Sequence, residues 1–255
     1  MIIIEPSTDE AAVEFIQLPQ ISEFIIINFD NPVHYTTFDS HDRRVLRTEG
    51  AYLLGKANHN RKFHIKLKKP ICLIKFKPCS FYIFSNQSAT NYLNRIISLN
   101  FPLNITDRER ITTELNVHLK RYFNKENVLM LKEQNMFDII AHIEKNFATV
   151  TVQKLSNAFH LSETTLFRYF KKYIGVNLTT FIIHTKFKMM LNKMYHKNYN
   201  ALATIENGFY DQSHFIKQFK KFYHVTPSHF IKEIDLFFQD NDASRALFEL
   251  CYIKA

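Results

Sequence analysis

With 255 residues the chain is long enough for two ordinary domains, each with its own core. Its 25 phenylalanines and 12 tyrosines, set against four glycines and seven prolines, exclude a disordered or collagen-like chain and argue against a nucleotide-binding loop. The formal charge of +9 suits a polyanionic partner if it is concentrated, and Cys72, Cys79 and Cys251, odd in number and without metal-ligand spacing, point to a reduced intracellular chain.

The chain opens on MIIIEPSTDE, whose apolar run stops at Glu5, too short for a signal-peptide core. No run approaches the roughly 20 apolar residues needed to span a bilayer, so a soluble, cytoplasmic protein with no membrane partner is expected. Residues 1–85 read mostly as strands. EFIIINF (23–29), AYLLG (51–55), KFHIKLKK (62–69) and ICLIKFK (71–77) are short, apolar or alternating, and bounded by Asn, Pro, Asp or Gly. In KFHIKLKK, Phe63, Ile65 and Leu67 fall on one face, with Lys66 and Lys68 on the other. Residues 1–49 hold nine acids and three arginines, whereas 50–106 hold nine basic residues and no acid. Neighbouring strand faces of opposite charge are the plainer reading; an anionic ligand or a second DNA-backbone contact is the sharper one.

From about 86 to 132 the pattern turns helical. ATNYLNRIISL and RERITTELNVHLKRYF carry apolar residues at three and four spacing, such as Ile111, Leu115 and Leu119, and Phe101-Pro102 breaks the first helix. These helices suit a sheet cover, a domain link or a dimer seam equally. From Gln134 onward, MFDIIAHIEKNF reads as an amphipathic helix marked by Phe137, Ile140 and Ile143, and the helical pattern runs on to about Ile234. The closing DLFFQDNDASRALFELCYIKA reads as a short helix with a polar break at 240–242. The predicted organisation is α+β: a β-rich domain over 1–133 (strands about 1–85, helices about 86–133), an all-α domain over 134–234, and a tail over 235–255.

The basic excess lies on the helical region. Between Val150 and Lys232 twelve Lys or Arg stand against three acids, Glu163, Glu206 and Asp211, while the rest of the chain balances at 21 of each. Solvated helix faces would account for such a segment; nucleic acid accounts for it better. The same region repeats itself at an offset of 49: Phe215 falls on Leu166, Phe219-Lys220-Lys221 on Phe170-Lys171-Lys172, Val225 on Val176 and Phe230 on Phe181. In the first copy Val152, Leu155, Ala158 and Phe159 share a face of a short helix, His160-Leu161 make a turn, and Ser162 is an N-cap for a second helix. On that second helix Leu166, Tyr169, Phe170 and Tyr173 follow the spacing of a buried stripe, leaving Thr164, Phe167, Arg168 and Lys171 on another face. In the second copy Asp211 is the cap, Phe215, Phe219 and Phe222 rebuild the stripe, and Ser213, Ile216, Lys217 and Lys220 face outward, with Gln212 and His214 near the start. Two short helices, a tight turn and a polar-basic outer face are what a major-groove reader requires.

These residues, LSETTLFRYFKKYIG and GFYDQSHFIKQFKKFYHVTPSHF in that order and separation, resemble the DNA-binding domain of the AraC/XylS family of transcription regulators. The most specific part is Gly208-Phe209 with Phe215, Phe219-Lys220 and Thr226-Pro227-Ser228. The N-terminal part resembles, more loosely, the β-rich sensing domains of such regulators, with FKPCSFYIF (76–84) as a strand-turn pattern. The resemblance implies two helix-turn-helix units joined by a long helix, here about 178–195, with recognition helices (about 162–173 and 211–222) reading major-groove segments roughly 34 Å apart. Carried over, the base-facing positions are Thr164, Phe167 and Arg168, then Gln212, Ser213, His214, Ile216 and Lys217. Arg168 suits a guanine edge and Gln212 an adenine edge through paired hydrogen bonds. Phe167 and Ile216 suit thymine methyls, or partial burial at the edge of the stripe. Ser162, Lys171, Lys172, Lys220 and Lys221 are expected at phosphates, contributing affinity and salt dependence. Two departures stand out: His224 replaces the glycine usual after the second recognition helix, and NALATIENGF lacks the usual Ile-Ala pair before Gly208, with Ala203-Thr204 in its place, which predicts a weak first helix in the second unit.

The expectation is a sequence-specific regulator that binds double-stranded DNA and is modulated through its N-terminal domain, with no cofactor. A small-molecule effector, a homodimer and contact with RNA polymerase are left open. An effector would act by binding DNA-competent and incompetent states with different affinity. The rival within nucleic-acid binding is a non-specific protein without effector control, which salt would strip from any sequence alike. An enzyme is not expected: His59 and His64 have a spacing that suits neither a helix face nor a β-barrel metal motif, and there is no nucleophile elbow or Cys-His pair.

Overall fold

The computed structural model describes residues 2–4, 11–17, 22–29, 31–37, 40–46, 49–56, 61–85, 87–99, 108–196, 205, 207–223 and 225–237. They fall into two compact units, Met1–Met136 with Lys172–Gly175, and Phe137–Lys171 with Val176–Ala255.

The first unit is built on two antiparallel sheets. One has the order β1 (Ile2–Ile4), β8 (Ile71–Lys75), β3 (Phe24–Phe29), β6 (Glu49–Leu54) and β9 (Ile96–Leu99). The other runs β2 (Ala11–Gln17), β7 (Arg61–Leu67), β4 (Val33–Thr37), β5 (Ser40–Leu46). The unbroken apolar run FIIINF is explained by its place: β3 pairs with both β6 and β8, and every one of its residues is buried, so neither face calls for polar side chains. Ile25, Ile27 and Phe29 pack in one cluster with Leu53, Ile74, Phe76, Phe81 and Leu115. The half-polar KFHIKLKK behaves as its alternation predicts, with Phe63, Ile65 and Leu67 buried and Lys66 exposed.

Buried polar groups pin the turns. The Asn31 carboxamide oxygen accepts the N–H groups of Lys68 and Lys69 at 2.7 and 2.9 Å, and the Asn28 oxygen accepts the Asn31 N–H at 3.1 Å. Glu23, from the acidic opening segment, pairs with Lys56, from the basic one, in the interior; both side chains are 1 % exposed. One element of the charge asymmetry is therefore an internal ion pair.

Two predicted elements differ. ATNYLNRIISL is not a helix: Ala89–Tyr92 is a single 3-10 turn, and Ile96–Leu99 is strand β9, paired in register with β6 (Leu53↔Ile97). The open edge of β6 offers backbone partners, and the β-branched pair Ile96-Ile97 fits a pleated surface, which overrides the local helical spacing. Within FKPCSFYIF the chain leaves β8, turns, and closes a short helix α1 (Tyr82–Ser85) instead of continuing as strand. Beyond these, α2 (Arg108–Tyr122) and α3 (Lys125–Glu133) form as expected. Asn124 caps α3 by accepting the N–H groups of Glu126 and Asn127 at 2.8 and 3.2 Å.

The helices that follow are α4 (Met136–Lys145), α5 (Val152–Phe159), α6 (Glu163–Tyr169), α7 (Leu178–Tyr195), α8 (Gln212–Tyr223) and α9 (Pro227–Phe237). A π-helical turn, Phe170–Ile174, continues α6. The long helix α7 is apolar on most sides, and nine of its residues are buried. Phe187 lies at its centre, with the rings of Phe209, Phe215, Phe219, Phe222 and Tyr223 all 5.3 to 6.3 Å away. This is the core that the paired aromatics of the repeat build. Thr226-Pro227 starts α9 with a cap and a proline at the first helical position, where no N–H is needed, and Phe230 then reaches the rings of Phe219 and Tyr223. His224, Ala203-Thr204 and the tail from 238 lie outside the described residues, as do the departures from the family pattern located there.

Candidate nucleic-acid interface

The first candidate unit is α5, a turn, and α6. Thr151 caps α5 by accepting the Lys154 N–H at 3.2 Å, and Leu155 is its fully buried residue. Val152 and Phe159 are half-buried, but Ala158 is exposed, so the inward face of α5 is narrower than its spacing predicts. The turn is made by His160 in the left-handed region (φ 53°). Its closure is fixed by two bonds, Leu161 N–H to the Ser156 carbonyl at 3.2 Å and Ser156 Oγ–H to the Leu161 carbonyl at 2.6 Å. Ser162 then caps α6, its Oγ accepting the Thr165 N–H at 3.1 Å.

These caps fix the phase of α6. Leu166 and Phe170 are fully buried and Tyr173 nearly so, which turns Thr164, Phe167, Arg168 and Lys171 outward, all exposed. Phe167 is 36 % exposed, enough for its ring to meet a partner. The Arg168 guanidinium lies 5.7 Å from the Tyr169 ring centroid. Lys172 is exposed as well, its ammonium 5.0 Å from the Tyr173 ring centroid.

The second candidate face is on α8. Asp211 caps it, with Oδ1 accepting the His214 N–H at 2.7 Å. Phe215 and Phe219 are fully buried, and Tyr223 completes the stripe; Phe222 is half-buried against His184, with ring centroids 5.0 Å apart. Burial pushes the Tyr223 phenol up and pulls the His184 imidazole down to about 4. Gln212, Ser213, His214, Lys217, Lys220 and Lys221 are exposed and Ile216 is half-buried. The two lysines after Phe219 are thus carried outward by the same turn that sends the aromatics in.

Gly208 explains why the stretch before α8 tolerates no other residue. Its φ is 77°, and a Cβ there would lie 2.0 Å from the Ala148 carbonyl oxygen. Its own carbonyl accepts a bond from Lys186 Nζ of α7 at 2.9 Å, and burial pulls the Lys186 ammonium down. Two side chains near the second face went unforeseen. Tyr210 is 85 % exposed just before the cap, and Gln218 lies one turn beyond His214 with its carboxamide 2.8 Å from the His214 ring. The i, i+4 spacing of His214 and Gln218 was the available signal.

Among the described residues, no group of three His, Cys, Asp or Glu is placed to hold a metal ion, and no helix is long and apolar enough to cross a membrane. Residues 155–233 match the family model described as a helix-turn-helix domain, of the AraC type. A comparison with curated protein sequences gives no match. Among solved structures, the chain is similar to ToxT from Vibrio cholerae (TM-score 0.45, 13 % identity, 90 % of this chain and 95 % of that one). Wild-type ToxT of strain SCE256 with a bound unsaturated fatty acid gives 0.45 and 13 %, over 89 % and 96 % of the two chains. ToxT of strain O395 bound to a methylnaphthalenyl butenoic acid gives 0.45 and 11 %, over 88 % and 98 %.

Proposed function

We propose that this chain, a DNA-binding transcription regulator by its helix-turn-helix domain, reads a specific sequence by inserting α6 and α8 into successive major-groove segments. The observation that carries this reading is the matched construction of the two helices. Each is started by a Ser or Asp cap, each buries an apolar stripe (Leu166, Phe170 and Tyr173; Phe215, Phe219 and Tyr223), and each leaves polar and basic side chains outward. Thr164, Phe167 and Arg168 face bases from the first unit; Gln212, Ser213, Ile216 and Lys217 do so from the second, with His214 beside them. Ser162, Lys171, Lys172, Lys220 and Lys221 meet phosphates. Arg168 supplies a bidentate guanine contact and Phe167 an apolar one to a thymine methyl. The domain over 1–133 senses a small molecule or joins two copies of the chain, and biases how the two reading heads sit on DNA.

The test is selection of bound duplexes from a random double-stranded pool at near-physiological salt, with wild type and Arg168→Ala in parallel. Two short blocks about one helical turn apart, with one block degraded in the variant, are the expected result. Binding without enrichment, falling steeply with salt, would reduce the basic helices to a phosphate-binding surface and end the specific reading.

A further inference from the structure

The hydrogen bonds around His214 decide which atoms α8 has left to offer a base. The Tyr210 backbone N–H lies 3.4 Å from His214 Nδ1 and can only donate, so Nδ1 carries the lone pair and the neutral ring holds its proton on Nε2. That nitrogen is 2.8 Å from the Gln218 amide nitrogen, so an N–H faces an N–H, and a half-turn of the carboxamide, whose two ends are interchangeable, brings the oxygen in instead. Facing an N–H, only the oxygen end makes a bond, so the amide NH2 is turned away from the ring. The arrangement is anchored from the backbone, because the His214 N–H is held by the Asp211 cap at 2.7 Å. The Phe209 ring meets the imidazole edge-on, with centroids 6.1 Å apart.

Resting on the reading of α8 as a recognition helix, we infer that Gln218 is a further specificity-determining residue and that His214 is its positioning residue. With both ring nitrogens engaged inside the protein, His214 has none for a base. Gln218 has its oxygen engaged and presents donors alone. A glutamine with both ends open takes adenine bidentately; one that only donates selects purine N7, guanine O6 or thymine O4, and disfavours the exocyclic amine of cytosine. A phosphate oxygen is an acceptor too, and the experiment separates it from a base edge.

The experiment is duplex selection with the full chain as wild type, Gln218→Leu, Gln218→Glu, His214→Ala and the His214→Ala, Gln218→Leu double variant. Wild type is expected to disfavour cytosine at one position of the second block. Gln218→Leu flattens that position by about fivefold or more and leaves the first block intact. Gln218→Glu still accepts from His214 but turns an acceptor to the DNA, which moves the preference toward cytosine. His214→Ala weakens the same position, and adding it to Gln218→Leu produces no further loss. A Gln218→Leu loss that is uniform across sequences, with a shallower salt dependence, would make the contact a phosphate and overturn the inference. So would independent, additive effects of the two residues. If wild type enriches two blocks but no Gln218 variant shifts a position, this inference falls alone; if wild type enriches nothing, the parent reading falls and takes it along.

Discussion

At the scale of single residues, the positions that matter most are those where the backbone or the interior leaves no choice. Gly208 has a left-handed φ and almost touches the Ala148 carbonyl, so Gly208→Ala combines a backbone penalty with a clash that side-chain rotation does not relieve. A loss of about 2 kcal/mol or more is expected, read as a lowered urea midpoint, together with loss of the second block in duplex selection while the first persists. His184 makes a pH prediction. Its imidazole is buried and held down to about 4, below the ordinary 6.5, so the unfolded chain takes up the proton first as pH falls. The stability this group contributes is complete above pH 6.5 and is lost between 6.5 and 4, by roughly 3 kcal/mol for full titration. His184→Leu is expected to remove that part of the acid sensitivity; an unchanged difference between urea midpoints at pH 7 and 4.5 would refute it. Sequence pattern pointed to Gly208 by resemblance, but its cause, the Ala148 carbonyl 60 residues earlier, is a tertiary contact that no local pattern carries.

At the scale of elements, α7 is the linker on which the second unit is assembled, and Phe187 is its centre. Phe187→Ala removes a fully buried ring surrounded by five others and is expected to cost about 3–5 kcal/mol by chemical denaturation. If the ring neighbours close over the gap, the loss would be under 1 kcal/mol, roughly the cost of a volume-conserving swap, and the hub role would be wrong. The helices around it were legible because their period, caps and turn residues agree. Ser162, Asp211 and Thr226-Pro227 mark starts, and the inward stripes follow the 3.6 repeat. Two elements were not. Strand β9 was masked by apolar spacing that also suits a helix, and the edge of β6 that decides the matter is more than 40 residues away in sequence. The π-turn at Phe170–Ile174 was invisible because both copies of the repeat share the Phe-Lys-Lys sequence there, while only the first makes the turn. In the candidate site, outward positions on α6 and α8 followed from the stripe, whereas the engagement of both His214 nitrogens depends on where the Tyr210 N–H falls.

For the whole molecule the governing fact is the placement of charge: twelve basic residues against three acids over Val150–Lys232, and balance elsewhere. A polyanion then gains from releasing condensed counterions, and each phosphate that a lysine neutralises steepens the fall of log K with log salt by about 0.9. Lys220 and Lys221, exposed at the last turn of α8, take this role in the proposed reading, as does Lys171, exposed after α6. Removing Lys220 and Lys221 together is expected to make that slope shallower by about 1.8 on the selected duplex and on random duplex alike, leaving their affinity ratio unchanged. Lys172 shares the repeat position of Lys221 but not its surroundings, since its ammonium lies near the Tyr173 and Tyr82 rings. Attraction to the ring faces competes with a phosphate for the same charge, so Lys172→Ala is expected to change the slope by less than Lys221→Ala. Salt titrations of both single variants on one duplex decide this. Equal slopes would mean that the rings release Lys172 when DNA binds, and a changed affinity ratio for the paired variant would mean that these lysines read sequence as well as charge.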